Sequence, residues 1–376
     1  MELVIKIGIG FYSLLYAIFK VLPVQKKVTF LSRQSNKPSL DFRLLSSKIT
    51  ELHPDYRCEV LCQMIEPGIA AKIGYCFHMI KQAYHIATSK CVVLDSYSIL
   101  VSCLHHRDSL LVVQMWHSVG TMKKFGYSIL NRPEGSSSVV AHALHMHENY
   151  DYMLASSDAY KAHLAEGFHQ PVSKIVTLAL PRVELLKDPE YKEKTRARIL
   201  KKYPSLGDGK RNIVYAPTFR KEAEEKEPFR KALQSLVSSI DKDQYNLVLK
   251  LHPLYSEDLE VPGAITDRSF STFDMFFIAD LVISDYSCAI YEAAVLHLPL
   301  YFYAYDYDEY MSIRDIYMDY DHEVPGPICR TAEELAAALE EPYDMERLRA
   351  FTDKYVSPEN YDETRRIAEF LFDHMK

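Results

Sequence analysis

The chain has few cysteines, and none of them are spaced as zinc ligands usually are. Its 376 residues include seven cysteines, an odd number, and no Cys-x-x-Cys pair. Structural zinc sites and complete disulfide frameworks normally show such pairs or an even count. We therefore expect free thiols, a reducing compartment and no tightly bound metal ion.

The N-terminus lacks a hydrophobic run long enough to cross a membrane. Its uncharged stretch, residues 7–19, has 13 residues, whereas a membrane span needs about 20. No small-residue cleavage site follows, which argues against a signal peptide. Because Lys6 and Lys20 flank the stretch, we prefer a helix lying on an anionic membrane surface. The alternative is a buried first helix of the domain.

The sequence also lacks internal repeats, low-complexity tracts and a strong excess of either charge. The formal net charge is -7 and the pI is about 6.1, which argues against a general nucleic-acid-binding protein. Hydrophobic residues make up 48% of the chain and charged residues 25%, as in soluble globular proteins with a substantial core. The length indicates two or three domains.

Short apolar runs alternate with helical patterns along the whole chain, which predicts parallel sheets covered by helices on both faces. A charged helix at 187–202 is expected to link two such halves. The predicted strands cover residues 28–32, 56–63, 91–95, 109–115, 152–156 and 174–179 in the first half, and 212–216, 245–250, 281–283 and 300–303 in the second.

The stretch 279–303 (ADLVISDYSCAIYEAAVLHLPLYFY) has the pattern of strand, polar turn, helix and strand. Its polar residues Ser284, Asp285 and Ser287 follow the strand directly. In open α/β sheets, ligands bind at the carboxyl ends of strands, and free N–H groups at a helix start suit a phosphate. The alternative interpretation is an ordinary capped helix start.

The motif WHSVGTMKKFG follows the fourth predicted strand and contains the only tryptophan of the chain. His117 could act as a general base, because an ordinary histidine is largely neutral at pH 7. Lys123 could meet a phosphate. A packed Trp-His pair followed by solvated lysines is the alternative.

Two further motifs follow strands of the second half. In YAPTFR, Thr218 and Arg220 lie in the loop after a strand, and the planar guanidinium of arginine matches phosphate oxygens. In KLHP, period-2 alternation places Lys250 and His252 on one side of a strand end, which is consistent with an anion site. Singly, each motif is a weak signal.

Taken together and in order, WHSVGTMKKFG, YAPTFR, KLHP, SDYSCAIYEAA and the segment RDIYMDYDHEVPGP resemble the CDP-glycerol glycerophosphotransferase family of wall teichoic acid biosynthesis. The resemblance implies a GT-B-like α/β fold with two Rossmann-like domains facing a central cleft. It also implies transfer of glycerol phosphate or ribitol phosphate from CDP-glycerol or CDP-ribitol to a hydroxyl of an undecaprenyl-linked acceptor, with release of CMP. Such an enzyme works at the cytoplasmic face of the cell membrane as a peripheral protein, without a cofactor.

On this basis we expect a membrane-associating helix at 1–27, an acceptor-side domain at 28–190, a CDP-donor domain at 191–355 and a C-terminal helix at 356–376. The resemblance implies that His117 is the base and that His252 contacts the pyrophosphate or the developing charge. The implied substrate-binding residues are Arg220, Ser284, Asp285, Ser287, Lys250, Thr218, Lys123, Arg314 and Glu323.

The sequence departs from the family pattern after the Trp-His pair, where many members have Gly-Thr-Pro. Here Ser118-Val119-Gly120-Thr121 stands instead, a variant that resembles a branch containing both glycerol-phosphate and ribitol-phosphate transferases. The polyol is therefore open, and a priming enzyme is preferred over a long-chain polymerase. The alternative functions are a sugar transferase or epimerase that uses a nucleotide sugar, and a catalytically silent scaffold.

Overall fold

The computed structural model describes residues 2–220, 223–251, 261–356 and 362–376. Within these residues the strands form two parallel sheets of six strands each. The first sheet consists of β1 (Lys27–Ser32), β2 (Arg57–Cys62), β3 (Cys91–Leu94), β4 (Leu111–Gln114), β5 (Tyr152–Ala155) and β6 (Ile175–Thr177). The second consists of β7 (Arg211–Tyr215), β8 (Tyr245–Leu249), β9 (Ile265–Thr266), β10 (Leu281–Ser284), β11 (Leu300–Tyr303) and β12 (Ile328–Cys329).

Helices connect the strands. They are α1 (Glu2–Phe19), α2 (Leu40–Leu52), α3 (Ile69–Ala87), α4 (Ile99–Cys103), α5 (Ser138–Ala143), α6 (Lys161–Phe168), α7 (Arg182–Lys187), α8 (Pro189–Lys202), α9 (Ala223–Ser239), α10 (Thr272–Met275), α11 (Ala289–Val295), α12 (Tyr307–Ile313), α13 (Tyr320–Glu323), α14 (Ala332–Glu340), α15 (Met345–Tyr355) and α16 (Glu363–His374). The predicted parallel α/β architecture is confirmed. The strands β9 and β12 were not predicted, because two residues are too few to show a hydrophobic period.

Both sheets are doubly wound, and each has one point where the strand order reverses. The first sheet has the order β2-β1-β3-β4-β5-β6 and the second β12-β11-β10-β7-β8-β9. The reversal lies between β1 and β3 in the first sheet and between β7 and β10 in the second. Connecting loops diverge there and leave a crevice outside the strand ends, which is where doubly wound folds bind ligands.

The chain forms two compact units. The first contains Met1–Val119, Lys124–Glu184 and Asn360–Lys376, and the second contains Gly120–Lys123 and Leu185–Glu359. The helix expected to be a linker is instead part of the second unit: in α8, Ile199 is fully buried and Arg196 donates to the carbonyl of Phe277 at 2.8 Å. That expectation is wrong.

The C-terminal helix α16 belongs to the first unit instead of forming a separate segment. Its Phe372 ring stacks on His53 with centroids 3.5 Å apart. At its other end, Glu363 is buried and accepts a hydrogen bond from the backbone N–H of Ala179 at 3.1 Å. The last helix of the chain therefore packs within the unit that the N-terminal half forms.

Apolar residues at helical spacing build the core of the second unit. On α9, Phe229, Leu233 and Leu236 are buried and form a cluster with the strand residues Ile213 and Leu247. The strands of this sheet are buried on both faces, which explains why they appear in the sequence as continuous apolar runs without alternation.

The N-terminal helix α1 has one packed face and one exposed face. On the packed face the Tyr12 hydroxyl donates to the carbonyl of Cys76 on α3 at 3.0 Å, and the Tyr16 hydroxyl lies 2.8 Å from Nδ1 of His106. Among the described residues, no helix combines the length and the hydropathy needed to traverse a bilayer.

Candidate functional site

Polar side chains gather at the strand-order reversal of each unit, and the two groups differ in chemistry. In the first unit they are His117, Asp95 and residues of the β1–α2 loop. In the second they are Lys123, Thr218, Ser287 and a buried arginine.

The imidazole of His117 is held in one tautomer. Its Nδ1 lies 2.9 Å from the backbone carbonyl of Asp95. A carbonyl oxygen can only accept, so Nδ1 carries the proton and Nε2 keeps a free lone pair. Burial lowers the pKa of His117, against an opposing effect of this hydrogen bond. The ring is therefore neutral near pH 7, with Nε2 able to take a proton.

A strained turn sets the position of His117. The preceding residue, Trp116, has a φ of 67°, a left-handed conformation that is uncommon for a bulky residue. The Trp116 N–H donates to Oε1 of Gln114 at 2.9 Å, and the indole packs on His117 and Phe125 at 4.1 and 4.4 Å between centroids. Strain of this kind is typical of functional sites and persists because the surrounding packing enforces it.

Asp95 directly follows β3 and carries a buried carboxyl group. The residue is 2% exposed, and neither carboxyl oxygen accepts a well-formed hydrogen bond, although the Ser32 and Ser96 hydroxyls lie close by. Burial raises the pKa of Asp95 to about 6, although the nearby hydroxyls of Ser32 and Ser96 lower it. An unsatisfied buried carboxyl group costs stability, and in a native protein it calls for a functional reason.

In the second unit, Arg220 is completely buried between two carboxylates. Its Nε and Nη2 donate to Asp306 at 2.7 and 3.0 Å, and Nη2 also donates to Asp285 at 3.1 Å. Nη1 donates to the carbonyl of Thr218 at 2.9 Å. The guanidinium is thus engaged with the protein, and we assign Arg220 a positioning role where the sequence suggested direct contact with phosphate.

Ser284 and Asp285 are also turned inward. The Ser284 hydroxyl donates to the carbonyl of Ala216 at 2.8 Å, and Asp285 accepts the N–H groups of Thr218 and Tyr286 at 2.7 and 2.6 Å. Both side chains are fully buried. They join the loop after β7 to the loop after β10. Because neither side chain is exposed, both residues position these loops and present no surface to a ligand.

The polar groups that remain for a ligand are Lys123, Thr218 and Ser287. Lys123 enters the second unit through an antiparallel bridge with Ile316, and its Nζ lies 3.5 Å from Oγ1 of Thr218. Burial lowers the pKa of Lys123, and the carboxylate of Asp285 opposes that shift. The Ser287 hydroxyl accepts the N–H of Ala289 at 3.3 Å, at the start of α11.

Gly120 allows this segment to lie close to the second unit. A Cβ at this position would come within 2.5 Å of the ring of Tyr291. Only glycine therefore fits here without moving a buried tyrosine. Lys123, three residues further on, lies at the strand-order reversal of the second sheet.

Of three other predicted site residues, two make structural contacts and one lies outside the described residues. All three N–H groups of the Lys250 ammonium are engaged, with the Asp267 carboxylate at 2.8 Å and with the carbonyls of Asp267 and Phe270; its role is structural. Glu323 accepts hydrogen bonds from Lys354 at 2.6 Å and Tyr355 at 2.9 Å, which also indicates a structural role. His252 lies outside the described residues.

Arg314 is half-buried, and its guanidinium lies 5.6 Å from the ring centroid of Tyr310. Tyr310 itself stacks on Tyr286 at 3.6 Å, which places Arg314 beside the loop after β10. Its assignment to the donor stays a prediction. In the described part of the chain, no group of three His, Cys, Asp or Glu side chains could hold a metal ion.

Sequence reasoning missed Asp95 and Asp306. Asp306, the first residue of an Asp-x-Asp pattern to which we assign no metal role, pairs with Arg220. Asp95 ends the predicted strand CVVLD, so the rule used for Ser284 would have found it.

Two doubly wound parallel sheets, with a neutral histidine at the strand ends of one and a lysine and hydroxyls at those of the other, define a GT-B-like α/β fold. The chain belongs to the family described as CDP-Glycerol:Poly(glycerophosphate) glycerophosphotransferase, which matches residues 14–373.

Relatives of this chain carry consistent descriptions. The teichoic acid ribitol-phosphate primase of Bacillus spizizenii is 32% identical over 96% of this chain and 94% of its own length. The teichoic acid glycerol-phosphate primase of Bacillus subtilis is 26% identical over 78% of this chain and 76% of its own length. A solved structure of a variant of the wall teichoic acid polymerase TagF superposes with a TM-score of 0.76 at 19% identity, covering 97% of this chain and 93% of that chain. That likeness shows the fold.

Replacing the buried carboxyl group, Asp95→Asn, should change how stability depends on pH. The folded pKa of about 6 lies above the ordinary value of 3.8, so the wild type loses stability as the pH rises from about 4 through about 6. The neutral amide avoids this loss. The variant should therefore gain on the order of 2–3 kcal/mol relative to wild type across that range, measured by urea unfolding at several pH values. The exposed Asp108→Asn is the control, and a difference that does not vary with pH would contradict the assignment.

Proposed function

We propose that the protein transfers a polyol phosphate from a CDP-activated donor to a hydroxyl of a lipid-linked acceptor at a membrane surface, releasing CMP. The observation that carries this proposal is the neutral imidazole of His117, with Nδ1 bound to a carbonyl and Nε2 free, in a chain of this family.

In this reaction Nε2 of His117 takes the proton of the acceptor hydroxyl. The oxygen attacks the β-phosphorus of the donor, a new P–O bond forms, and the bond to the bridging oxygen breaks so that CMP leaves. Because little covalent chemistry falls to the protein, positioning and positive charge supply most of the catalysis.

The donor phosphates are assigned to the second unit. Lys123 supplies a positive charge beside the Thr218 hydroxyl, and Ser287 and Arg314 are further candidates. The buried Arg220 and Asp285 act by holding the loops. His252 is assigned to the pyrophosphate from its motif alone.

The relative with 32% identity supports ribitol phosphate as the transferred group, because its name is that of a ribitol-phosphate primase. CDP-ribitol is therefore the first donor to test, with CDP-glycerol beside it. Measuring CMP release from both donors with a lipid-linked acceptor tests the proposal. Thermal stabilisation by either donor without CMP release from any acceptor would favour a silent homologue.

The membrane assignment rests on an exposed apolar surface, which we call the α1/α3 face. On α1 the exposed residues recur every three or four positions, as they do on α3. They are Leu3, Ile7, Phe11, Leu14 and Ile18 on α1, and Ile69, Ile73 and Phe77 on α3, each between 52% and 80% exposed. Contiguous apolar surface with lysines such as Lys6 and Lys72 beside it suits an anionic bilayer surface.

His117→Ala should lower the turnover number by about 10²–10⁴-fold, the usual contribution of a general base. Its lowered pKa means that kcat/KM of the wild type should fall with acid only below about pH 6.5. CMP release measured across pH checks both statements, with the exposed His142→Ala as control. Near-normal release by the Ala variant would remove His117 from the mechanism.

Lys123→Met should raise the KM for the CDP donor by about tenfold or more, because a charge-assisted hydrogen bond to phosphate is lost. The neighbouring Lys124→Met, which belongs to the first unit, serves as a matched control. Equal effects of the two substitutions would argue against a specific donor contact at Lys123.

Phe11→Glu and Leu14→Glu should each weaken binding to vesicles that contain phosphatidylglycerol by about tenfold or more, since an apolar contact is replaced by a charge that anionic lipid repels. Vesicle sedimentation measures this. Val172→Glu, at an exposed apolar residue of the same unit outside the α1/α3 face, should bind like wild type. Undiminished binding by both α1 variants would contradict the membrane assignment.

A further inference from the structure

Arg33 is the first residue after β1 and lies at the reversal between β1 and β3. Its backbone N–H donates to the Ser96 hydroxyl, in the loop after β3, at 2.9 Å. The loops that carry Arg33 and Asp95 are therefore joined at the point where a doubly wound sheet binds its ligand.

The guanidinium of Arg33 has no carboxylate partner among the described residues. It is half-buried, lies over the ring of Tyr97 at 5.1 Å and shares a hydrogen bond with the Tyr75 hydroxyl, while its Nε is buried without a hydrogen-bond partner. A permanently charged arginine that is partly withdrawn from water without an anion is costly. Arg182 of the same unit, by contrast, donates from Nε to the Asp41 carboxylate at 2.8 Å.

The histidine and the tyrosines around Arg33 are neutral at physiological pH. Burial, and then the charge of Arg33, lowers the pKa of His147 to about 3, so this histidine carries no charge. The pKa values of Tyr75 and Tyr97 are raised by burial, and the charge of Arg33 opposes both shifts. The site thus presents one positive charge among aromatic rings.

The residue that follows Arg33 lies beside the candidate base. Gln34, the next residue, has its Nε2 3.4 Å from Nδ1 of His117. On the other side, Tyr75 belongs to α3, where Ile73 and Phe77 are exposed on the α1/α3 face while Tyr75 is buried. Arg33 therefore lies on the inner side of the helix whose outer side we assign to the membrane.

We propose that Arg33 binds a phosphate group of the acceptor, next to the hydroxyl that His117 deprotonates. This inference rests on the proposed function. An acceptor that ends in a polyol phosphate carries a phosphate a few bonds from its free hydroxyl, and the forked guanidinium suits two of the phosphate oxygens. Arg33 then selects acceptors that already contain a polyol phosphate.

The test compares wild type, Arg33→Gln, Arg33→Lys and the exposed Arg43→Gln from the same unit. Glycerol 3-phosphate is the probe, titrated by calorimetry, with glycerol and inorganic phosphate alongside. We expect Arg33→Gln to weaken glycerol 3-phosphate binding by about tenfold or more, Arg33→Lys to be intermediate and Arg43→Gln to match wild type. Binding should persist in Lys123→Met, which separates this site from the donor site.

A phosphate of a lipid headgroup has the same chemistry, so vesicles containing phosphatidylglycerol form a second arm. Arg33→Gln should bind them like wild type. A parallel loss in both arms would assign Arg33 to lipid and overturn the acceptor assignment. Unchanged binding of glycerol 3-phosphate by Arg33→Gln, or no binding by wild type, would also overturn it.

In turnover, Arg33→Gln should raise the KM for an acceptor that bears a polyol phosphate and leave the KM for the CDP donor unchanged. The calorimetric result does not depend on turnover. A protein that binds glycerol 3-phosphate through Arg33 and releases no CMP would overturn the proposed function while leaving this site in place.

Discussion

One buried guanidinium holds together the ends of three strands in the second unit. Arg220 follows β7, and its partners Asp285 and Asp306 follow β10 and β11. Removing one partner of such an ion pair leaves buried charge uncompensated, at a cost of about 3–5 kcal/mol. Because the same loops carry Thr218 and Ser287, this interaction also determines where the polar groups available to a donor lie.

At the strand-order reversal of the first unit, by contrast, buried polar groups are left without such pairing. Asp95 and Arg33 have buried polar atoms without well-formed hydrogen bonds, and Trp116 has a left-handed backbone conformation. Each of these features lowers stability. Proteins retain such costs where a ligand or a reaction uses the groups concerned, and here they surround His117.

The two units therefore present different chemical groups at their strand ends. The first unit holds a neutral imidazole whose tautomer a backbone carbonyl determines, together with the apolar α1/α3 face. The second unit brings in Lys123 by a β-bridge and a glycine that tolerates close contact with Tyr291. A neutral imidazole and a lysine beside hydroxyls thus lie at the strand ends of two sheets of the same design.

Much of this organisation is readable from local sequence. The ten predicted strands are present, because buried parallel strands appear as uninterrupted apolar runs. The rule that ligands bind after strands drew attention to His117, Thr218 and Ser287. It failed to separate contact residues from positioning residues, and Arg220 and Lys250 illustrate the failure.

The sequence by itself determined the two parallel sheets, the loops that follow their strands and the family motifs, because hydrophobic runs and short motifs are local. Only the tertiary structure decided which charged groups are already paired. Arg220 meets Asp306 across 86 positions of the chain, whereas Arg33 meets no carboxylate among the described residues. Pairing depends on which strand ends become neighbours, and that is a property of strand order.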